Sequence, residues 1–215
     1  MTQMNPKKSL LAPLALASAL CLAAAFQGCN VVPPAQEDST RYFILSDPAS
    51  AARPAAQAAG ALRIGVKSVV LEGYLKHREM IVRTGENEVA FRDYRRWAES
   101  LDSAISRIVQ ASLQASPGVA EVDAQPFPFD QKRDYDVSLR ILRCEGAVSA
   151  SGKFTASFSA VIEISTTGDG AHVVGRRVFT APPSAWDGEN FDQLAGLLSQ
   201  DAAALGRDIL AGIPQ

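Results

Sequence analysis

The chain has 215 residues, of which 47% are hydrophobic and 7% aromatic, and its formal net charge is −2. A chain of this length and apolar content can bury a core, which excludes wholesale disorder and a disulfide-stapled miniprotein. The near-neutral charge argues against nucleic acid as a partner, because a nucleic-acid-binding surface needs a basic field. Two histidines and three cysteines leave little material for a metal cluster or for a nucleophile with its base.

The first 28 residues have the layout of a bacterial export signal. Lys7 and Lys8 precede an apolar run, residues 10–26, in which only Pro13 and Ser18 are not apolar. A positive start followed by an apolar stretch and small residues is typical of a signal peptide. An uncleaved membrane-spanning anchor and a plain secretory signal are the alternatives, since about 17–25 apolar residues can cross a bilayer.

The apolar run ends at Gly28-Cys29, which resembles the lipobox of bacterial lipoproteins, where the cysteine is lipidated and becomes the new N-terminus. The cysteine thiolate is the nucleophile that takes up the lipid, and several acyl chains together hold a protein firmly on a membrane. The pattern departs from the usual lipobox at Phe26, where leucine is common. Asn30 favours export to the outer membrane, facing the periplasm, because an aspartate at this position commonly retains lipoproteins at the inner membrane.

Removal of residues 1–28 as a signal peptide changes the charge and the cysteine count. It takes away two lysines and no acid, so the formal net charge of the mature chain becomes −4. Cys21 leaves with the signal and Cys29 carries the lipid, so Cys144 remains alone and can form no intramolecular disulfide. We expect Cys144 to be a buried, inert thiol within a strand, with a reactive thiol as the alternative.

The mature chain is expected to begin with a tether, residues 29–40, that joins the lipidated cysteine to the folded domain. After the cysteine it reads NVVPPAQEDST, a polar, proline-containing sequence without periodicity, which is typical of a flexible linker. The folded domain is expected over residues 41–215. It opens with a short apolar strand at 42–45, and an alanine-rich loop follows at 49–60.

Four further strands and one helix are predicted in the first half of the domain. The strands are placed by apolar residues at 62–71, 80–83, 88–91 and 119–122. The second and third of these form a predicted hairpin, because residues 85–87 between them contain glycine and asparagine, which tolerate tight turns. Trp97, Leu101 and Ile105 begin an apolar stripe at helical spacing, which predicts an amphipathic helix over residues 95–116 with Trp97 in the core.

The second half of the domain shows clear alternation. Residues 134–180 contain two long alternating runs and a return strand, separated by turns, which predicts an antiparallel meander. A second long amphipathic helix is predicted over residues 191–213. The expected fold is a single two-layer α/β domain, in which a mixed, largely antiparallel sheet packs against two long amphipathic helices.

Four segments, taken in order, carry a further signal. They read YFIL at 42–45, VVL and then YL within 69–75, IVR at 81–83, and RWAESL at 96–101, where the first predicted helix opens. Together they resemble the auxiliary lipoproteins of ABC-type transporters, the PqiC-like family. The chain departs from the usual family pattern at three positions, Gly73, Lys76 and Glu79.

The resemblance implies a periplasmic lipoprotein that works with an ABC permease and ATPase and with an MCE protein. Such systems move lipids or other hydrophobic substrates between the inner and outer membranes. In them the auxiliary lipoprotein is neither the ATPase nor the channel; it docks the MCE protein near the outer membrane, and a homo-oligomer is expected.

Tyr74 and Leu75 are candidate partner-binding residues, because they lie on the predicted loop after a strand. The alternative is a pair tucked into the core. Arg83 is a third candidate, which would pair with a carboxylate of the partner, and its alternative is an ion pair within the chain. A basic cluster at Arg92, Arg95 and Arg96 would suit anionic lipid head groups, with a solvated helix start as its alternative.

The sequence carries no motif of a common catalytic or cofactor site. It contains no GxSxG, P-loop or GxGxxG pattern, and His77 and His172 lie far apart and outside any metal-ligand spacing. We therefore expect no enzyme activity, no cofactor and no metal. Two other functions stay open: a stand-alone periplasmic carrier that holds a lipid in an internal cavity, and an unrecognised hydrolase.

Overall fold

The computed structural model of the protein describes residues 37–46 and 61–214. The expected signal peptide, Cys29, most of the tether and the alanine-rich segment at 49–60 lie outside these residues. Of the N-terminal unit, Met1–Ser39, only residues 37–39 are described, and they have no regular secondary structure. Every strand and helix described below belongs to the second unit, Thr40–Gln215.

Ten strands and two α-helices are present in the described residues. In chain order they are β1 (Arg41–Phe43), β2 (Leu62–Val66), β3 (Val70–Leu71), β4 (Glu79–Arg83), β5 (Val89–Trp97), α1 (Leu101–Gln114), β6 (Val119–Ala124), β7 (Tyr135–Val148), β8 (Phe154–Thr166), β9 (Val173–Thr180), β10 (Ser184–Ala185) and α2 (Phe191–Ala211). A single turn of 3-10 helix, Gly73–Lys76, lies between β3 and β4.

The sheet is built on the long antiparallel hairpin of β7 and β8. Alternation along both strands places apolar side chains on one face, so that Leu139 of β7 lies opposite Ile162 of β8 and both are buried. β9 pairs antiparallel with the other side of β8, which confirms the predicted meander, and the short β10 also pairs with β8.

The second edge of β7 pairs with three short strands, one after another along its length. β2, β3 and β4 all run parallel to β7, with Ile64 opposite Tyr135, Val70 opposite Arg140 and Val82 opposite Gly146. β5 then pairs antiparallel with β4, β1 pairs parallel with β5, and β6 pairs parallel with β2. The sheet is therefore mixed, as predicted.

Both helices contribute buried apolar stripes, which include Ile105 and Ile108 of α1 and Leu198 of α2. They pack closely against each other, because a Cβ added at Gly206 of α2 would lie 2.7 Å from the Cβ of Ser112 in α1. This arrangement confirms the predicted α/β domain with two amphipathic helices.

The predicted start of the first helix is wrong by six residues. The helix begins at Leu101 instead of residue 95, because residues 89–97 form β5. Trp97 donates its backbone N–H to the carbonyl of Arg78 at 2.7 Å, so sheet pairing takes the place of a helical hydrogen bond. Trp97 is nevertheless 3% exposed, which confirms its predicted place in the core.

Candidate partner-docking site

The 3-10 turn after β3 separates the two candidate residues that it carries. Leu75 is 1% exposed and belongs to the hydrophobic core, so its side chain has almost no surface that a partner can reach. Tyr74 is partly exposed and packs against the edge of that core. Leu75 therefore anchors the turn in the core, and Tyr74 is the residue that a partner can contact.

Tyr74 lies beside Glu145, on the face of the sheet that points away from α2. A Cβ at Gly146 would lie 2.8 Å from Trp186 and 3.3 Å from Leu194 of α2, so position 146 faces that helix. Successive residues of a strand point to opposite faces, so Glu145 points the other way. Its side chain is nonetheless fully buried, because Tyr74 and Arg83 cover it.

Arg83, the last residue of β4, forms an ion pair with this buried carboxylate. Its Nε lies 2.6 Å from Oε1 of Glu145, and the exposed fractions of the two side chains are 18% and 0%. The guanidinium also donates to the carbonyl of Glu86 at 3.1 Å and to the hydroxyl of Tyr74 at 3.3 Å. Arg83 thus pairs with its own chain, as in the alternative stated from the sequence.

The hydroxyl of Tyr74 closes the network. It donates to the carbonyl of Leu142 at 3.0 Å, and the guanidinium of Arg83 lies 5.6 Å from the centre of its ring. Burial, and then the negative charge of Glu145, raise the pKa of Tyr74 to about 12. The phenol therefore stays protonated at any physiological pH and keeps its role as a hydrogen-bond donor.

Glu145 is the residue of this network that the sequence analysis missed. It is 62 positions away from Arg83, and no local pattern connects the two. The one local signal is that Glu145 is a carboxylate between two small residues, Cys144 and Gly146, within a predicted strand. A buried carboxylate needs a cation or several donors, and its Oε2 has no hydrogen-bond partner.

A cleft of about 550 Å³ lies next to this turn, between β3 and the start of α1. Apolar side chains, including Leu71, Leu75 and Leu101, contribute to its lining. Its lining also includes the exposed basic residues Lys76 and Arg78 and the acidic residues Glu99 and Asp102, so the cleft carries charges of both signs. The combination of an apolar lining and charged side chains suits contact with a protein surface.

His77, His172 and Cys144 lie in different surroundings. Among the described residues there is no group of three or more histidine, cysteine or acidic side chains that could hold a metal. The His77 ring stacks edge-on against Phe91, and His172 contacts the hydroxyl of Thr166 in an exposed turn. Cys144 is 2% exposed, and burial raises the pKa of its thiol, which agrees with the expected inert cysteine.

Five clefts in the described part of the chain are surface features. They have volumes of about 430–890 Å³, open to solvent, and carry at least one charged residue in each lining. In residues 37–46 and 61–214, no helix combines the length and apolar character needed to cross a membrane.

The family of ABC-type transport auxiliary lipoprotein components matches residues 43–210. The chain belongs to this family. The match confirms the PqiC-like resemblance and includes the 3-10 turn, Arg83, Glu145 and the adjacent cleft. It also makes the protein a transport component whose expected partner is a transporter, in line with the description of the family. Comparison with curated proteins gives no significant match.

Two crystal structures share the fold at low sequence identity. A protein from Xanthomonas campestris is 15% identical, with a TM-score of 0.62 over 79% of this chain and 92% of that one. An uncharacterized protein is 18% identical, with a TM-score of 0.60 over 81% and 99% of the two chains. A PelC dodecamer from Paraburkholderia phytofirmans has a TM-score of 0.44 at 15% identity, over 76% and 96%.

Proposed function

We propose that the protein is a lipid-anchored periplasmic accessory subunit of an MCE-type ABC transport system, and that it docks the MCE protein. The observation that carries this proposal is membership of the auxiliary lipoprotein family over residues 43–210. The system would move lipids or other hydrophobic substrates between the two membranes. Asn30 after the lipidated Cys29 favours the outer membrane as its location.

The shape of the domain supports docking over carriage of a lipid. A carrier needs an enclosed apolar pocket, commonly about 300–1,000 Å³, that covers most of its ligand. The clefts described above reach this volume but are open to solvent and have charged residues in their linings. Such clefts suit a protein partner better than a lipid tail.

We place the docking site at the 3-10 turn and the cleft beside it. Tyr74 offers a partly exposed aromatic ring to the partner, and Leu75 anchors the turn from inside the core. Arg83 is 18% exposed and holds the Tyr74 hydroxyl, so it supports this surface, while its charge is balanced by Glu145. Lys76 and Arg78 are exposed at the cleft and can pair with carboxylates of the partner, and Glu99 and Asp102 in the same lining add negative charge.

Purification of the tagged protein from native membranes in mild detergent tests the docking. We expect the MCE protein and the ABC subunits to copurify with it. Lys76→Glu combined with Arg78→Glu reverses two exposed charges and is expected to lower that recovery several-fold while the domain stays folded. Lys132→Glu, an exposed charge reversal on another loop, is the matched control.

The possible results separate the partner from the site. Absence of every transporter subunit from the wild-type preparation would contradict the proposed function. An equal loss in Lys132→Glu would contradict the location of the docking site and leave the function standing. Light scattering on the same preparation measures whether the protein is also a homo-oligomer.

The anchor has a separate test. Cys29→Ser removes the atom that takes up the lipid, so we expect the variant to leave the membrane fraction while the melting temperature of the domain is unchanged. A Cys29→Ser protein that stays with the membrane would contradict the lipoprotein assignment and favour the uncleaved anchor.

A further inference from the structure

Exposed apolar side chains concentrate on β1 and β5. The structure describes eight large hydrophobic residues that are exposed, and four of them lie on these two strands or next to them. They are Tyr42, Ile44, Phe91 and Tyr94, with exposed fractions of 57%, 55%, 40% and 58%. Single exposed apolar residues are ordinary, but a cluster on adjacent strands is typical of an interaction surface.

The register of the two strands defines the geometry of this surface. Tyr42 pairs with Arg96 and precedes the buried Phe43, so its side chain points away from the core. Tyr94 lies where the β4–β5 register shifts, between Arg92 and Arg96, and is 58% exposed. Arg41 pairs with Arg95, and this pair points to the opposite face. β1 has no partner strand on its outer side among the described residues, so tyrosines and arginines flank a free edge.

The same strands carry a positive charge. They contain four arginines and one carboxylate, namely Arg41, Arg92, Asp93, Arg95 and Arg96. Arg96 has a carboxylate partner, Glu79, at 3.6 Å. The guanidinium groups of Arg41 and Arg95 lie 5.7 and 5.9 Å from phenylalanine ring centres and have no carboxylate partner among the described residues. Arg41 is exposed, and Arg95 is partly exposed in a cleft whose lining also includes Asp187 and Glu189.

The surface is also the part of the domain closest along the chain to the proposed lipid anchor. Eleven residues separate Cys29 from Arg41, and a chain of that length bridges at most about 40 Å. The tether keeps the domain close to the membrane, so a surface with only modest affinity for lipid head groups can stay bound to them.

We propose that the β1–β5 edge is a membrane-contact surface that lies against anionic lipid head groups. This inference rests on the proposed lipidation of Cys29 and adds a defined orientation of the domain on the membrane. Tyrosine rings favour the interface between water and acyl chains, and long arginine side chains reach phosphates while their stems stay on apolar surface. Head groups and interfacial water can satisfy the free backbone groups of β1.

Quenching by brominated lipids tests the contact. The lipidated full-length protein, with Tyr94→Trp, is reconstituted in brominated phosphatidylcholine vesicles with or without about 30% phosphatidylglycerol. The two native tryptophans, Trp97 and Trp186, are 3% and 5% exposed, so they contribute little to quenching by lipid. We expect strong quenching of the introduced indole in the anionic vesicles and weaker quenching in the neutral ones.

Two further variants make the test specific. Arg41→Gln combined with Arg95→Gln removes two cations. Loss of one arginine is expected to weaken the association of the surface with the anionic vesicles about fivefold, and loss of both about 25-fold. Glu37 and Asp38 precede β1 and partly offset its positive charge. A change of salt would screen these carboxylates together with the arginines, so the arginine variants are the more specific test. Phe129→Trp places a probe on the fully exposed Phe129 of the β6–β7 loop, where we expect no quenching.

Each result supports or contradicts the proposal. Protein that does not float with the vesicles contradicts the anchor and this inference together. Protein that floats while the indole in β5 stays unquenched contradicts the membrane contact alone. Equal quenching of the Phe129→Trp probe also contradicts it, because the domain would then have no preferred face. The emission of the introduced indole could instead stay unquenched and shift to the blue as the protein concentration rises. That result would show that the surface binds a second copy of the chain and would contradict the membrane contact.

Discussion

Removal of Arg83 is a direct test of how the Tyr74 turn is held. Arg83→Met keeps most of the aliphatic stem but leaves the carboxylate of Glu145, whose side chain has no exposed surface, without its cation at 2.6 Å. Loss of one partner from a buried ion pair costs about 3–5 kcal/mol. We expect about 3 kcal/mol, at the low end, because Arg83 is 18% exposed and water can approach its position. For a domain of this size that corresponds to about 6–12 °C in melting temperature.

Urea unfolding measures this loss, with the fluorescence of the buried Trp97 and Trp186 as the signal. The midpoint should fall while the slope stays constant, because the same surface is exposed on unfolding. Arg176→Met is the matched control. It removes an arginine that is 68% exposed from its pair with Glu163, and such surface pairs are worth less than about 1 kcal/mol.

A double variant separates charge from packing. Arg83→Met with Glu145→Leu removes both buried charges and should recover most of the lost stability. A loss in Arg83→Met no larger than that in Arg176→Met would refute the argument that Glu145 depends on its cation. A double variant as unstable as the single one would place the cost in lost contacts with Tyr74 and not in the charge.

Gly206→Ala should lower the free energy of unfolding by about 1–3 kcal/mol, because the new Cβ would lie 2.7 Å from Ser112 and 3.3 Å from a backbone carbonyl of α1. Gly196→Ala in the same helix meets no atom within 4 Å and should raise it by about 0.5–1 kcal/mol, so equal effects in urea unfolding would contradict the close helix packing. Asp201 lies in α2 with its Oδ2 buried and unpartnered, and burial raises the pKa of its carboxyl from 3.8 to about 6. The protonated form stabilises the fold below about pH 4, and this contribution is lost as the pH rises through about 6. Asp201→Asn should therefore stabilise the domain at pH 7 by about 1–2 kcal/mol. The melting temperature of the variant should also depend less on pH between 4 and 7 than that of the wild type. An unchanged dependence of melting temperature on pH would contradict this reasoning.

Local periodicity was sufficient to predict most of the secondary structure. The β7–β8–β9 meander follows from alternation, because strands joined by short turns pair with their neighbours in the chain. The start of α1 was not predictable in this way. Trp97 and Leu101 are four residues apart and both are buried, which fits a helix, yet β5 continues to Trp97 because β1 and β4 provide hydrogen-bond partners on both sides.

The candidate docking site was predicted only in part. Sequence alone pointed to Tyr74, Leu75 and Arg83, but it did not show that Leu75 enters the core and that Tyr74 remains at the surface. Glu145 could not be paired with Arg83 from sequence, because the parallel contact of β4 with β7 brings them together across 62 positions. Strand alternation tells which face a residue takes, but not which strand lies beside it.

The sequence by itself determined the α/β class, the two amphipathic helices, the family and the candidate lipid anchor, because these depend on local patterns and ordered segments. Only the tertiary structure decided that β7 receives three parallel strands along one edge. It also decided that Glu145 is buried beneath Arg83 and that Tyr42 and Tyr94 are exposed on the neighbouring strands β1 and β5. The physical reason is that pairing between distant strands is selected by the burial of the whole core, and no short stretch of chain contains that information.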